Sequence, residues 1–109
     1  MTAPNKRVLV VDNNEEEGRL FVSMFEQAGY DAMATWSGLE ALNLMQHKTF
    51  DLLLVSDYLA DLYVGDFLKR LDLLPNRPCS LVVRRNQSPT AEFLRIKSLV
   101  PPDASAPNY

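Results

Sequence analysis

The chain alternates between short, wholly apolar runs and longer stretches that are apolar on one side only. Val8-Leu9-Val10-Val11 and Leu52-Leu53-Leu54-Val55 contain no polar break, the pattern of strands covered on both faces of a parallel sheet. Asp12 closes the first run, and Asp57 closes the second after Ser56. Between them, Leu20, Phe21, Met24, Phe25 and Ala28 recur at helical spacing. Asn13 and Asn14 are suitable N-caps for that helix, Glu15, Glu16 and Glu17 suit its positive end, and Gly29 suits its stop. The spacing predicts a helix over roughly 14–28. A short strand follows over Asp31–Trp36.

Ser37-Gly-Leu-Glu40 has the form of a capping box and opens a second helix, with Gly38, Ala41, Leu42 and Met45 on its inner stripe and an end near His47. A third helix is expected to begin at Gly65 or Asp66 and to turn Phe67, Leu68 and Leu71 inward. Gly65 reads as a residue that permits the turn from loop to helix. Cys79–Val83 reads as a fourth strand, and Pro89 as the first turn of a short helix over 89–98. Strands alternating with helices through short links predict an α/β fold with a doubly wound parallel sheet. In such folds ligands bind outside the C-terminal ends of the strands, where strand order reverses. Asp12 and Asp57 both fall at that edge.

Length and composition narrow the reading. With 109 residues the chain is expected to be one domain over 1–100, followed by an irregular tail over 101–109 rich in proline and small residues. No apolar stretch approaches a membrane span, and a single cysteine, Cys79, excludes an internal disulfide. A cytoplasmic location is the expectation. Residues 1–68 carry 11 acids and 4 bases, whereas residues 69–97 carry 7 bases and 2 acids. The ordinary reading of the basic segment is a solvated surface, and the sharper one a docking face for an acidic partner. The acidic balance and the lack of a helix-turn-helix pattern argue against nucleic acid binding.

Arg7-Val-Leu-Val-Val-Asp12, Gly29-Tyr30, Ser37-Gly-Leu-Glu-Ala-Leu42, Asp51-Leu-Leu-Leu-Val-Ser-Asp57 and the interval from Asp57 to Gly65 resemble, in order and spacing, the receiver domain of two-component response regulators. The resemblance covers residues 6–74 and implies a flavodoxin-like, CheY-like receiver fold. It implies that Asp57 is the phosphoacceptor, charged by a histidine kinase or phosphotransfer protein in a phosphorelay. It also implies Mg²⁺, held by Asp12, Asp57 and the backbone carbonyl of Leu59, with Asn13 acting through a water.

The chain departs from the family pattern at several points. Asn13 stands where a second acid is usual, and Glu15 is the candidate to compensate. Val83 or Arg84, depending on register, takes the place of a Thr or Ser; Arg84 could contact a phosphoryl group as a charged donor. Pro101 stands at the place of the lysine that pairs with the phosphoryl group, Lys97 does not precede a proline, and Asp61 replaces a proline and adds charge near the site. The last strand and helix are expected to be degenerate or missing. An uncovered edge of this kind predicts a homodimer with exchange of C-terminal elements, and a strictly monomeric mass in light scattering at high concentration would oppose it.

A receiver is a signalling module rather than an enzyme with a small-molecule substrate. The rival reading is a pseudo-receiver, a phosphorylation-independent interaction or dimerisation module. A phosphohydrolase with an aspartate nucleophile is disfavoured, because its usual second acid two residues on is here Leu59.

Overall fold

The computed structural model describes residues 6–75, 78–83 and 89–99. The elements run β1 (Arg7–Val11), α1 (Glu15–Gln27), β2 (Asp31–Thr35), α2 (Gly38–His47), β3 (Leu52–Ser56), α3 (Val64–Leu71), β4 (Cys79–Val83) and α4 (Pro89–Leu99). Among the described residues the four strands form one parallel sheet in the order β2-β1-β3-β4. From β1 the chain steps to one side to reach β2, and from β3 it steps to the other to reach β4. The reversal therefore lies between β1 and β3, whose register pairs Val11 with Val55.

The unbroken apolar runs fill both faces of this sheet. Leu9, Val11, Leu53 and Val55 face α2 and α3 through Ala41, Leu42, Met45, Phe67 and Leu71. Val8, Val10, Leu52 and Leu54 face α1 through Phe21, Phe25 and Tyr30. α4 lies on this second face, where Phe93 meets Phe25 edge to face at 5.1 Å and Phe25 meets Tyr30 in the same way at 4.9 Å. Among the described residues two helices thus cover each face, as the doubly wound reading requires.

The caps form largely as the sequence predicts. Of the two candidate asparagines, Asn14 is the N-cap of α1, accepting from the Glu17 N–H at 3.0 Å. Gly29 sits at φ 98°, the left-handed conformation that a side chain would strain. Ser37 caps α2 by accepting from the Glu40 N–H at 3.1 Å. The capping box closes only halfway, because the Glu40 carboxylate accepts instead from the Thr35 hydroxyl at 2.6 Å. Gly65 differs from expectation. It lies within the first turn of α3, has no positive φ, and a β-carbon there would meet nothing within 4 Å. The turn into α3 does not require a glycine.

Candidate functional site

β1 and β3 deliver Asp12 and Asp57 to the C-terminal edge of the sheet on either side of the reversal point. Asp12 is held firmly. Its N–H donates to the Thr35 carbonyl at 3.1 Å, and its Oδ1 accepts from the Asn14 N–H at 2.9 Å. Only 4% of Asp12 is exposed. The N-cap of α1 and the carboxylate of Asp12 are therefore fixed by one short turn.

Asp12 opens into a crevice of about 570 Å³ lined by Asn13, Asn14, Glu16, Glu17, Leu20, Ser56 and Tyr58. Asp57 is exposed and lines an adjoining crevice with Leu59, Ala60, Asp61 and Asp66. Tyr58 borders both. The expected pair of carboxylates is thus adjacent but not merged into one cavity. Among the described residues no three His, Cys, Asp or Glu side chains stand grouped as a ready metal cage.

The acids nevertheless act on one another. Burial pushes the Asp12 carboxyl up, and the charge of Asp57 adds to this, against the hydrogen bonds from Asn14 and Glu17. Burial, then the hydrogen bond to Asp12, then the charges of Asp12 and Asp57 push the Glu17 carboxyl from 4.5 up to about 7. Among the described side chains lining the Asp12 crevice none is basic.

The sequence reading missed Glu17. It named Glu15 as the compensating acid, but Glu15 pairs with Arg19 one turn along α1 and Glu17 reaches Asp12. Tyr58 borders both crevices, whereas Trp36 packs on α1. A β-carbon on Gly18 would lie 2.6 Å from its ring, so only glycine accommodates the indole there.

Asp61 also differs from expectation. Its carboxylate accepts from the Ser37 hydroxyl at 2.8 Å, the Gly38 N–H at 3.1 Å and the Leu39 N–H at 3.0 Å. It caps α2 rather than adding free charge beside Asp57. Slight burial pushes its carboxyl up, but the N–H groups of Leu39 and Gly38 and the Ser37 hydroxyl outweigh this and hold it below the ordinary carboxylate range. Leu59, only 5% exposed, is anchored beneath the same loop, and Gly38 lets it approach, since a β-carbon there would lie 3.1 Å from the leucine.

Val83 ends β4, and Lys97 lies in α4. Arg84, Pro101, the irregular tail and the degenerate or missing last strand and helix concern residues outside the described ones, and so does the dimer argued from them.

Burial of the two carboxyls, with their mutual repulsion added, gives stability a pH dependence of definite sign. Asp12 and Glu17 have folded pKa values above their unfolded ones, so the folded chain holds the extra protons and stability falls as pH rises through that window. For Glu17 the window runs from 4.5 to about 7. Asp61 works in the opposite sense, and its contribution is lost only as pH falls below the ordinary carboxylate value of 3.8. In metal-free buffer the thermal midpoint is expected to drop as pH rises from 4.5 to about 7, and Glu17→Gln should flatten most of that drop. Calorimetric melts across the range check this, and an unchanged slope in the variant would refute it.

No family model matches the chain. It is 37% identical over 76 residues to the polar-differentiation response regulator DivK of Brucella anthropi, which spans 67% of this chain and 62% of that protein. It is 42% identical over 50 residues to the DivK protein of Brucella ovis, spanning 46% of this chain and 41% of the relative. The chain thus covers less than two thirds of the curated relatives' length. Among solved structures it resembles the receiver domain of the Francisella response regulator 1452, with TM-score 0.69 and 22% identity over 90% of this chain and 81% of that one. It also resembles a response regulator receiver domain protein from Bacillus halodurans, with TM-score 0.73 and 19% identity over 88% and 97%. At that identity the structures speak for the fold, and the sequence relatives carry the same family name. Among the described residues no helix is long and apolar enough to cross a membrane. Shared sequence and shared fold make the chain a CheY-like receiver domain of the response regulator kind.

Proposed function

We propose that Asp57 accepts a phosphoryl group from the phosphohistidine of a histidine kinase or phosphotransfer protein in a cytoplasmic phosphorelay. The observation that carries this reading is the placement of Asp57 at the end of β3, beside the buried Asp12 at the end of β1, where strand order reverses. A carboxylate oxygen of Asp57 attacks phosphorus in line. The new O–P bond forms as the P–N bond to the donor histidine breaks, and the imidazole leaves as the neutral ring after taking a proton. The product is an acyl phosphate on Asp57, and the chain's contribution is placement and charge.

The donor set fits a hard cation that keeps several of its waters, as Mg²⁺ does. Asp12, Asp57 and the Leu59 carbonyl would hold it, with Asn13, which is exposed beside Asp12, acting through a water. Among the described residues lining their crevice, Asp12 and Glu17 have no basic neighbour, which suits a bound cation. When bound, Mg²⁺ supplies charge neutralisation for the incoming phosphoryl group. Asp12 presents a carboxylate whose position is fixed by Thr35 and Asn14, and the anchored Leu59 steadies the acceptor loop.

Asn13 in place of an acid, and Val83 at the end of β4, favour a second reading. In it the chain is a pseudo-receiver that binds partners or a second copy without phosphorylation. Titration with beryllofluoride, a phosphoryl mimic, separates the two. Mg²⁺-dependent binding that Asp57→Asn removes supports the acceptor, and no binding at millimolar ligand by the folded protein supports the pseudo-receiver.

A further inference from the structure

Position 13 weakens the cation site on paper, because an amide brings no charge where the pattern expects a second carboxylate. The fold places another carboxylate at the same crevice. Asn14 caps α1 and so fixes the phase of its first turn. With that phase, Glu15 turns to Arg19, while Glu17, half-buried where Glu16 is exposed, lines the same crevice as Asp12. Two carboxyls lining one crevice, with no basic side chain among the described residues that line it, form a hard, anionic donor pair. Trp36, seated on Gly18, packs against the same turn.

We propose that Glu17 is the second acidic ligand of the divalent-cation site, supplying from the first turn of α1 the carboxylate that position 13 lacks. The inference rests on the reading that this crevice holds a divalent cation. Glu17 is half-buried in the wall of the crevice that Asp12 opens into, and its side chain is long. Asn13 is left as the ligand of a metal-bound water. The Asp12 crevice thereby keeps two acids, with one of them moved four residues along the chain.

The test counts free Mn²⁺ by electron paramagnetic resonance in titrations of the wild-type chain, Glu17→Gln, Glu16→Gln, Asn13→Asp and Asn13→Asp/Glu17→Gln. Far-ultraviolet circular dichroism and Trp36 emission confirm that each variant is folded. Glu17→Gln is expected to weaken Mn²⁺ by about tenfold or more, the scale set by losing one supporting group of a metal site. Glu16→Gln lines the same crevice and removes the same charge from the same helix turn, and it should leave affinity within about twofold. Asn13→Asp should restore the loss when added to Glu17→Gln. Equal effects of the Glu16 and Glu17 variants would overturn the proposal, leaving only the general field of the helix. Binding by Asn13→Asp with none by the wild type would overturn it as well, while sparing the cation site itself. Absence of binding in both the wild type and Asn13→Asp would overturn the underlying reading of the crevice.

Discussion

Asp57→Asn is expected to lose phosphoryl acceptance from any phosphohistidine donor by at least about a thousandfold, the scale on which removing a nucleophile acts. The amide keeps the size and shape of the side chain but has no anionic oxygen to form the O–P bond. Asp57 is exposed, and circular dichroism of the variant checks that it is folded. Removing the Asp57 charge takes away one of the causes that raise the Asp12 and Glu17 carboxyls. Asp66→Asn is the matched control. Asp66 lines the same crevice as Asp57 and is exposed, yet it lies in the first turn of α3 rather than at a strand end. Its replacement should leave phosphorylation unchanged. Labelled phosphoryl transfer, followed by gel separation, reads both variants. Retained labelling of Asp57→Asn would place the acceptor elsewhere.

The strand-end aspartates were legible because the physics that buries a parallel strand on both faces leaves an unbroken apolar run, and a polar residue ending such a run marks the ligand edge. Both β1 and β3 carry that mark, and strand order places them side by side. Glu17 was harder to see because Glu15, Glu16 and Glu17 serve the helix dipole equally well. What separates them is helix phase. Phe21 and Phe25 are buried on the sheet side of α1, and counting back four residues from Phe21 arrives at Glu17, one turn beyond the core on the same stripe. The signal was present in the apolar spacing, and it points past the helix stripe to the strand end.

Asp61 carried no such local sign. Its partners Ser37, Gly38 and Leu39 lie more than twenty residues away, and only the packing of Leu59 and Leu62 against Gly38 brings the loop to the start of α2. A carboxylate in a loop after an acceptor reads as charge near the site until the helix end it caps is known. Gly65 shows the reverse error. Its spacing from Asp57 looks like a turn requirement, whereas its backbone is ordinary helix. Likeness to a family pattern located the position without supplying the physical cause.

The acceptor loop and the core beneath it are expected to fail together in Phe67→Ala. Phe67 has no exposed surface and packs with Leu59, Ala41 and Leu71 on the α2/α3 face. Truncating a buried phenylalanine costs about 3–5 kcal/mol, against a total of roughly 5–15 kcal/mol for a domain. The melting temperature should therefore fall by well over 10 degrees, at about 4–8 °C per kcal/mol for a small domain. Phe25→Ala, equally buried on the opposite face against Tyr30 and Phe93, should cost a similar amount. The two variants separate in function. Removing Phe67 takes away the surface on which Leu59 rests, and Leu59 carries the carbonyl assigned to the cation. Below its melting point Phe67→Ala should thus bind beryllofluoride and Mg²⁺ more weakly than Phe25→Ala at matched folded fraction. Comparable binding by the two would mean that the acceptor loop is positioned by the Asp61 cap on α2 alone, and Asp61→Ala would then be the variant that loosens it.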